Sequence, residues 1–186
     1  MSEIITDDNI DTNAWSEFIN EFQHESDRAT AVLAGAFLEN LLATILENFF
    51  IKDKSNIQSI LYGFNAPLYS FHSKILCSYC LGLLPDDEFH DLKIIKKIRN
   101  DFAHKQAGLS FSSQSIADKC KKLTKVDILQ RELNNIDLNK PRNRFIYGVA
   151  LLTISLNSTI ARPPDRCTPA KRSYLVISDK PIKFNR

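Results

Sequence analysis

The chain has 186 residues, 44% of them hydrophobic and 25% charged, and its 24 Lys and Arg against 22 Asp and Glu leave a formal net charge of +2. This composition describes one globular domain with a real core. It excludes a disordered chain, a collagen-like fibre and a strongly cationic nucleic-acid coat. Only five glycines argue against an all-β protein with its many tight turns, and four cysteines are too few and too scattered for a disulfide scaffold.

From Glu3 to Asp11 the chain is acidic and polar, without the basic start and apolar core of a secretory leader. Trp15, Phe18, Ile19 and Phe22, spaced by three and four, predict a short amphipathic helix over residues 13–22. Ser26-Asp27 opens the next segment, which is free of breakers to Phe50 and apolar nearly all round between Ala29 and Leu38. Such a helix belongs at the centre of a bundle. The run Ala31 to Leu38, closed by Glu39, is too short to span a bilayer, so a cytoplasmic protein with no membrane contact is expected.

Lys52 to Asn56 reads as a polar turn, followed by a short helix from Ile57 to Tyr62 and a break at Gly63 to Pro67. Pro67 suits the first turn of a helix running to Cys80 or Leu81, with Gly82 as its stop. Pro85-Asp86-Asp87-Glu88 starts another, with acids where the helix dipole favours them, and it runs to His104. After a loop from Gly108 to Ser115, a short basic helix reaches Leu123, and the stretch from Thr124 to Asn139 is ambiguous. Pro141 opens a last long helix to Ile160, ended by Arg162-Pro163-Pro164, and one strand-like patch, Tyr174 to Ile177, lies in the tail. The expected architecture is an all-α helical bundle with a long central helix. It divides into an acidic N-terminal segment with a short helix (1–24), the bundle (25–161) and an extended basic C-terminal tail (162–186).

The segment from Lys93 to His104 is the most informative. At 100° per residue, Leu92, Ile95, Ile98 and Phe102 form an apolar stripe, and Arg99 falls inside it. A guanidinium there cannot lose its proton and needs an acidic partner or an anionic ligand. Glu39, inward-facing on the central helix beside Val32, Gly35, Ala43 and Leu46, is the expected partner. Asn100 and His104 share another face with Lys93 and Lys97. One reading makes Arg99, Asn100 and His104 a polar cluster that moves protons and holds phosphate. The plainer one has Arg99 snorkelling at a bundle edge and His104 favoured by the dipole at a helix end.

Several separated motifs resemble the MltR-like, or mannitol operon repressor, family. They are Glu25-Ser26-Asp27-Arg28-Ala29, Ala34-Gly35-Ala36-Phe37-Leu38-Glu39, Ala66-Pro67-Leu68-Tyr69-Ser70-Phe71, Lys74-Ile75-Leu76 with Leu81-Gly82-Leu83-Leu84, the string Ile98 to His104, and Pro141-Arg142-Asn143-Arg144-Phe145. They arrive in order across residues 25–160. The resemblance implies an all-helical bacterial regulatory protein without an obvious helix-turn-helix, and none is visible in this sequence. Such a regulator would act as a helical homodimer, through a protein partner such as a transcription factor or antitoxin, or through RNA or DNA.

Arg99-Asn100-Asp101-Phe102-Ala103-His104 is also similar to the R-x4-6-H signature of HEPN domains, helical bundles many of which are metal-independent ribonucleases of toxin–antitoxin and phage-defence systems. That resemblance implies Arg99 and His104 as a catalytic pair, with Asn100 and Glu39 supporting. An RNA 2′-hydroxyl would attack the adjacent phosphate, with His104 as acid or base and Arg99 on the phosphoryl charge. Arg99 and His104 lie about 140° apart on one helix, so such a site needs the helix to end near His104, or two copies to meet. An antitoxin-like or scaffold protein, in which the string only stabilises the bundle, is the third reading.

Other chemistry is thinly represented. Cys77-Ser78-Tyr79-Cys80 has no second pair and reads as a buried helix face, so neither metal nor cofactor is expected. His24, His72 and His90 stand singly. There is no glycine-rich phosphate loop, G-x-S-x-G or H-E-x-x-H. Phe37, Phe49, Phe50, Phe64 and Phe71 sit among aliphatics and read as core.

The small net charge conceals a division. Residues 1–27 hold eight acids and no Lys or Arg, residues 93–125 nine basic and two acidic residues, and residues 162–186 seven basic and two acidic. A nucleic-acid backbone would be expected on the middle block, at Lys93, Lys96, Lys97 and Lys105. Equally, that block is a solvated face neutralised by the acidic N-terminus of the same or a neighbouring chain.

Overall fold

A computed structural model of the chain describes residues 19–104, 108–131 and 136–169. It is all-helical, with no strand among the described residues. The elements are α1 (described over 19–24), α2 (Asp27–Phe49), α3 (Lys54–Leu61), α4 (Phe71–Cys80), α5 (Asp86–His104), α6 (Gln114–Cys120), a 3-10 helix (Lys125–Arg131) and α7 (Pro141–Ala161). Trp15, Lys105 and the patch Tyr174 to Ile177 lie outside the described residues.

The apolar second helix is indeed the central one. α2 packs against α4, α5 and α7, and Ala31, Ala34, Leu38, Leu42 and Leu46 are completely buried along it. Ser26 starts it by accepting the Ala29 N–H on its hydroxyl at 3.2 Å. α2 and α7 are each long and apolar enough to cross a bilayer, which the count of consecutive apolar residues does not reveal. In the fold they are the bundle's inner helices and pack on each other. An aromatic knot of Phe102, Phe111 and Phe145 joins α5, the loop after it and α7, with ring centroids 5.0–5.1 Å apart.

Two helix starts differ from the sequence expectation because a side chain caps a different turn. α4 begins at Phe71, not Pro67, because the Ser70 hydroxyl accepts the Ser73 N–H at 3.1 Å. The segment before it is held as a turn by Leu68 N–H donating to the Ile60 carbonyl at 2.9 Å. α3 begins at Lys54 because Asp53 accepts the Asn56 N–H at 3.1 Å, so the polar turn is the helix cap itself. Gly82 does follow α4, at φ +72°, a conformation that suits glycine.

The ambiguous stretch after Leu123 becomes a 3-10 helix because α5 supplies its cap. Asp91, fully buried on α5, accepts the Thr124 N–H at 3.0 Å and the Lys125 N–H at 2.9 Å. Beside it, Lys125 donates to Glu88 at 2.6 Å, and Ser155 of α7 donates to the same carboxylate.

Both ends of α2 are tied to distant parts of the chain. At its start, Arg142 of α7 pairs with Asp27 and donates to the Phe22 carbonyl at 2.9 Å and to the Thr30 hydroxyl at 3.1 Å. Asp27 also accepts the Phe111 N–H at 2.8 Å. At its end, Arg166 donates to the Glu47 and Phe50 carbonyls at 3.0 and 2.7 Å, and the Cys167 N–H donates to the Phe49 carbonyl at 2.7 Å.

Candidate functional site

The candidate site is the outer side of α5 and its seam with α2. Asp86, Asp87 and Glu88 occupy the first turn of α5, and Leu92, Ile95, Ile98 and Phe102 form its fully buried stripe, as the periodicity predicts. On the wheel Lys93, Lys96, Lys97, Asn100, Ala103 and His104 fall within about 120° on the other side. All six are exposed or half-buried.

Arg99 sits at the border between these faces, and half-buried. Its stem crosses Gly35 of α2 so closely that a Cβ on residue 35 would lie 2.6 Å from Arg99 Cγ. The glycine in the α2 motif therefore has a steric reason: it lets the arginine pass. Arg99 Nη1 donates to Asn100 Oδ1 at 3.1 Å, while its Nε–H is buried without a hydrogen-bond partner.

Arg99 and Asn100 are thus brought together, but His104 is not. It is exposed at the end of α5, and no hydrogen bond links it to either residue. The expected Glu39–Arg99 pair is not formed. Glu39 instead accepts from Lys74 Nζ at 3.0 Å, and Lys74 also donates to the Tyr69 carbonyl at 2.6 Å. The cause is the level at which each neighbour meets α2: α5 delivers Arg99 at Gly35, and α4 delivers Lys74 at Glu39, one turn later. Sequence reasoning missed Lys74 although its position carries a signal, since it shares a helix face with Phe71, Ile75 and Ser78, all buried.

Of the expected basic contacts, Lys93 and Lys97 are exposed and Lys96 half-buried. Lys93 Nζ lies 4.7 Å from the Phe89 ring centroid, and Phe89 stacks on Tyr79 at 3.9 Å. Hydrogen bonding to Asp86, and the negative charge of that carboxylate, push the Tyr79 hydroxyl above its ordinary pKa.

The remaining single residues are distributed as follows. His24 bonds the Asn20 carbonyl at 2.8 Å, His90 Nδ1 lies 3.0 Å from Asp91, and His72 is exposed. Cys77 is half-buried and Cys80 exposed, which corrects the expectation that both lie on a buried face. Burial, then the neighbouring Cys80, push the Cys77 thiol up, the opposite of what a reactive thiol needs. Among the described residues no group of three His, Cys, Asp or Glu could hold a metal ion. Phe71 is buried as expected and Phe49 and Phe50 half-buried, but Phe37 is exposed and Phe64, on a turn, is 90% exposed.

Comparison with known proteins settles the family. The family model for the mannitol repressor matches residues 16–160, most of the chain. The chain belongs to the mannitol repressor family. Solved structures with the same fold include that of the MtlR–HPr complex from Escherichia coli. It is 16% identical, has a TM-score of 0.58, and the match covers 79% of this chain and 98% of that one. A possible transcriptional regulator, YggD, from Shigella flexneri is 12% identical with a TM-score of 0.57, over 77% of this chain and 96% of that one. No curated protein sequence matches. The mannitol repressor motifs fall on the seams of the bundle: the Ala34-to-Glu39 string carries Gly35 and Glu39, and Pro141 to Phe145 carries Arg142.

Proposed function

We propose that this protein is a cytoplasmic bacterial transcriptional regulator of the mannitol-repressor type, a helical homodimer that works through contact with another protein rather than by reading DNA itself. The family match over residues 16–160 carries this reading. The Escherichia coli structure is of MtlR in complex with HPr, so the HPr of the same bacterium as this chain is the partner to test first. The contact surface is the outer side of α5, whose Lys93, Lys96 and Lys97 present positive charge and whose Phe89–Tyr79 stack adds an apolar flank.

Calorimetric titration of the full chain with that HPr tests the reading. Micromolar binding is expected, weakened at least tenfold when Lys93, Lys96 and Lys97 are all changed to Glu. Absence of heat and of co-elution sinks the partner, and unchanged affinity in the variant sinks the surface.

The Arg99–Asn100 hydrogen bond favours a second reading, a metal-independent ribonuclease in which Arg99 meets the scissile phosphate, Asn100 fixes its guanidinium and an exposed His104 moves the proton. The purified protein would then cleave total RNA in EDTA, and Arg99→Ala and His104→Ala would each abolish cleavage. Intact RNA ends this reading.

A further inference from the structure

Cys77 and Cys80 stand three residues apart in the last turn of α4, outside the Arg99 cluster. Both are free thiols, Cys77 half-buried against the core and Cys80 exposed. The other two cysteines are placed differently: Cys120 is buried, and the Cys167 N–H is bonded to the Phe49 carbonyl at the end of α2. Residues three apart in an α-helix have Cα atoms roughly 5 Å apart, inside the window of about 4.4–6.8 Å that a disulfide spans. Their Cβ atoms, at about 5–6 Å, must approach by roughly 1–2 Å before the sulfurs can bond. The turn must therefore change shape for the bond to close.

That turn holds two things in place. Its carbonyls cap the helix: Cys77 accepts the Leu81 N–H at 3.0 Å, Ser78 the Leu83 N–H at 2.9 Å and Tyr79 the Gly82 N–H at 2.9 Å. Tyr79, between the two cysteines, donates its hydroxyl to Asp86 at 2.8 Å and stacks on Phe89, with ring centroids 3.9 Å apart. Asp86 is the first residue of α5, and Lys93 lies over the same Phe89 ring. The shape of the turn thus sets both the cap of α4 and the seat of Tyr79 on α5.

We propose that Cys77 and Cys80 form a reversible disulfide that rebuilds the end of α4, opens the cap at Leu81 to Leu83 and moves Tyr79 off Phe89. The oxidant is a peroxide. The Cys80 thiolate attacks one peroxide oxygen, the O–O bond breaks, and the hydroxide that leaves takes up the thiol's proton as water. The Cys77 sulfur then displaces hydroxide from the Cys80 sulfenic acid, and its own proton leaves with that hydroxide as a second water. Two thiols and one hydrogen peroxide become one disulfide and two waters, with two electrons passing from sulfur to oxygen. Burial holds the proton on Cys77, so the exposed Cys80 reacts first and Cys77 resolves it. A strained, exposed disulfide is readily reduced, so small-molecule thiols reverse the step. This device stands on the geometry of α4 and α5 and goes beyond the regulator reading.

The full chain, fully reduced, is treated with a few equivalents of hydrogen peroxide, blocked with iodoacetamide, digested and mapped by mass spectrometry. The expected product is a peptide that has lost two hydrogens and carries Cys77 and Cys80 unalkylated, restored by dithiothreitol. Sulfinic acid at Cys80 without this link, or links only through Cys120 or Cys167, overturns the proposal. Amide exchange then reads the rearrangement. Leu81, Gly82 and Leu83 should exchange several-fold faster in the oxidised chain, while the buried centre of α2 stays unchanged. Equal exchange at those three amides also overturns it. Cys77→Ser and Cys80→Ser, given the same peroxide, should show no faster exchange there; a rise in either variant assigns the effect to general oxidation and overturns the switch.

Discussion

At the scale of single residues, Gly35 and Arg99 are one device. In a helix interior Gly→Ala ordinarily stabilises by about 1 kcal/mol. Here the added methyl group would collide with the arginine stem, not with its mobile tip. Gly35→Ala should therefore destabilise the bundle by roughly 1–3 kcal/mol, as overpacking does. In an Arg99→Ala background the same substitution should become neutral or favourable, and urea denaturation of the four proteins checks the reversal. The Lys74–Glu39 pair gives a second test, because removing one partner leaves a buried charge uncompensated. Glu39→Ala is expected to cost about 3 kcal/mol in wild type, and much less in Lys74→Met.

Cys120 gives a pH dependence at this scale. Burial pushes its thiol up to about 12, against the pull of Arg144 and Lys119. In the unfolded chain the thiol releases its proton from an ordinary value of 9.0, whereas the folded chain holds it to about 12. Unfolding thus releases a proton between these values. The stabilisation is complete below pH 9 and is lost as pH rises towards 12. Tyr62, raised to about 12 by burial and then by its bond to Glu47, acts in the same direction. The urea midpoint should fall between pH 8 and pH 10.5, and Cys120→Ala should flatten that fall.

Among the elements, legibility followed locality. α2, α5 and α7 were readable because their starts are written next to them: Ser26 before α2, the acids after Pro85, and Pro141. The 3-10 helix was not, because its capping carboxylate is Asp91, more than 30 residues earlier on α5. The site divides the same way. Arg99 was visible as a charge inside an apolar stripe, but its true neighbour, Gly35, and the true partner of Glu39, Lys74, depend on the level at which α4 and α5 cross α2, which no single helix pattern encodes. The role of Asp91 is testable in the element it caps. Asp91→Ala should cost about 2–3 kcal/mol and should raise amide exchange at residues 124–131 before it affects α2.

For the whole molecule, the near-neutral charge is a sum of separated regions. Matched pairs bind the inner helices, and the unmatched positive side of α5 faces outward. Binding of any anionic partner there should weaken steeply with salt, whereas stability, resting on the α2–α5–α7 core, should hardly change. Measuring affinity and urea midpoint at 50 and 500 mM salt separates the two. The homodimer reading belongs to this scale as well, and sedimentation at a mass of twice the chain is the expected result.

The two knots at the ends of α2 bear on how the molecule comes apart. Helices ordinarily fray from their termini, where carbonyls and amides lack partners. In α2 the first turn is held by Arg142 and the last by Arg166 and Cys167, residues reached only after more than 90 intervening positions. Neither end can open unless the segment that closes it leaves first. The slowest-exchanging amides should therefore run the full length of α2, including its last turn, and proteolytic nicking after Ala161 should be the event that releases that turn.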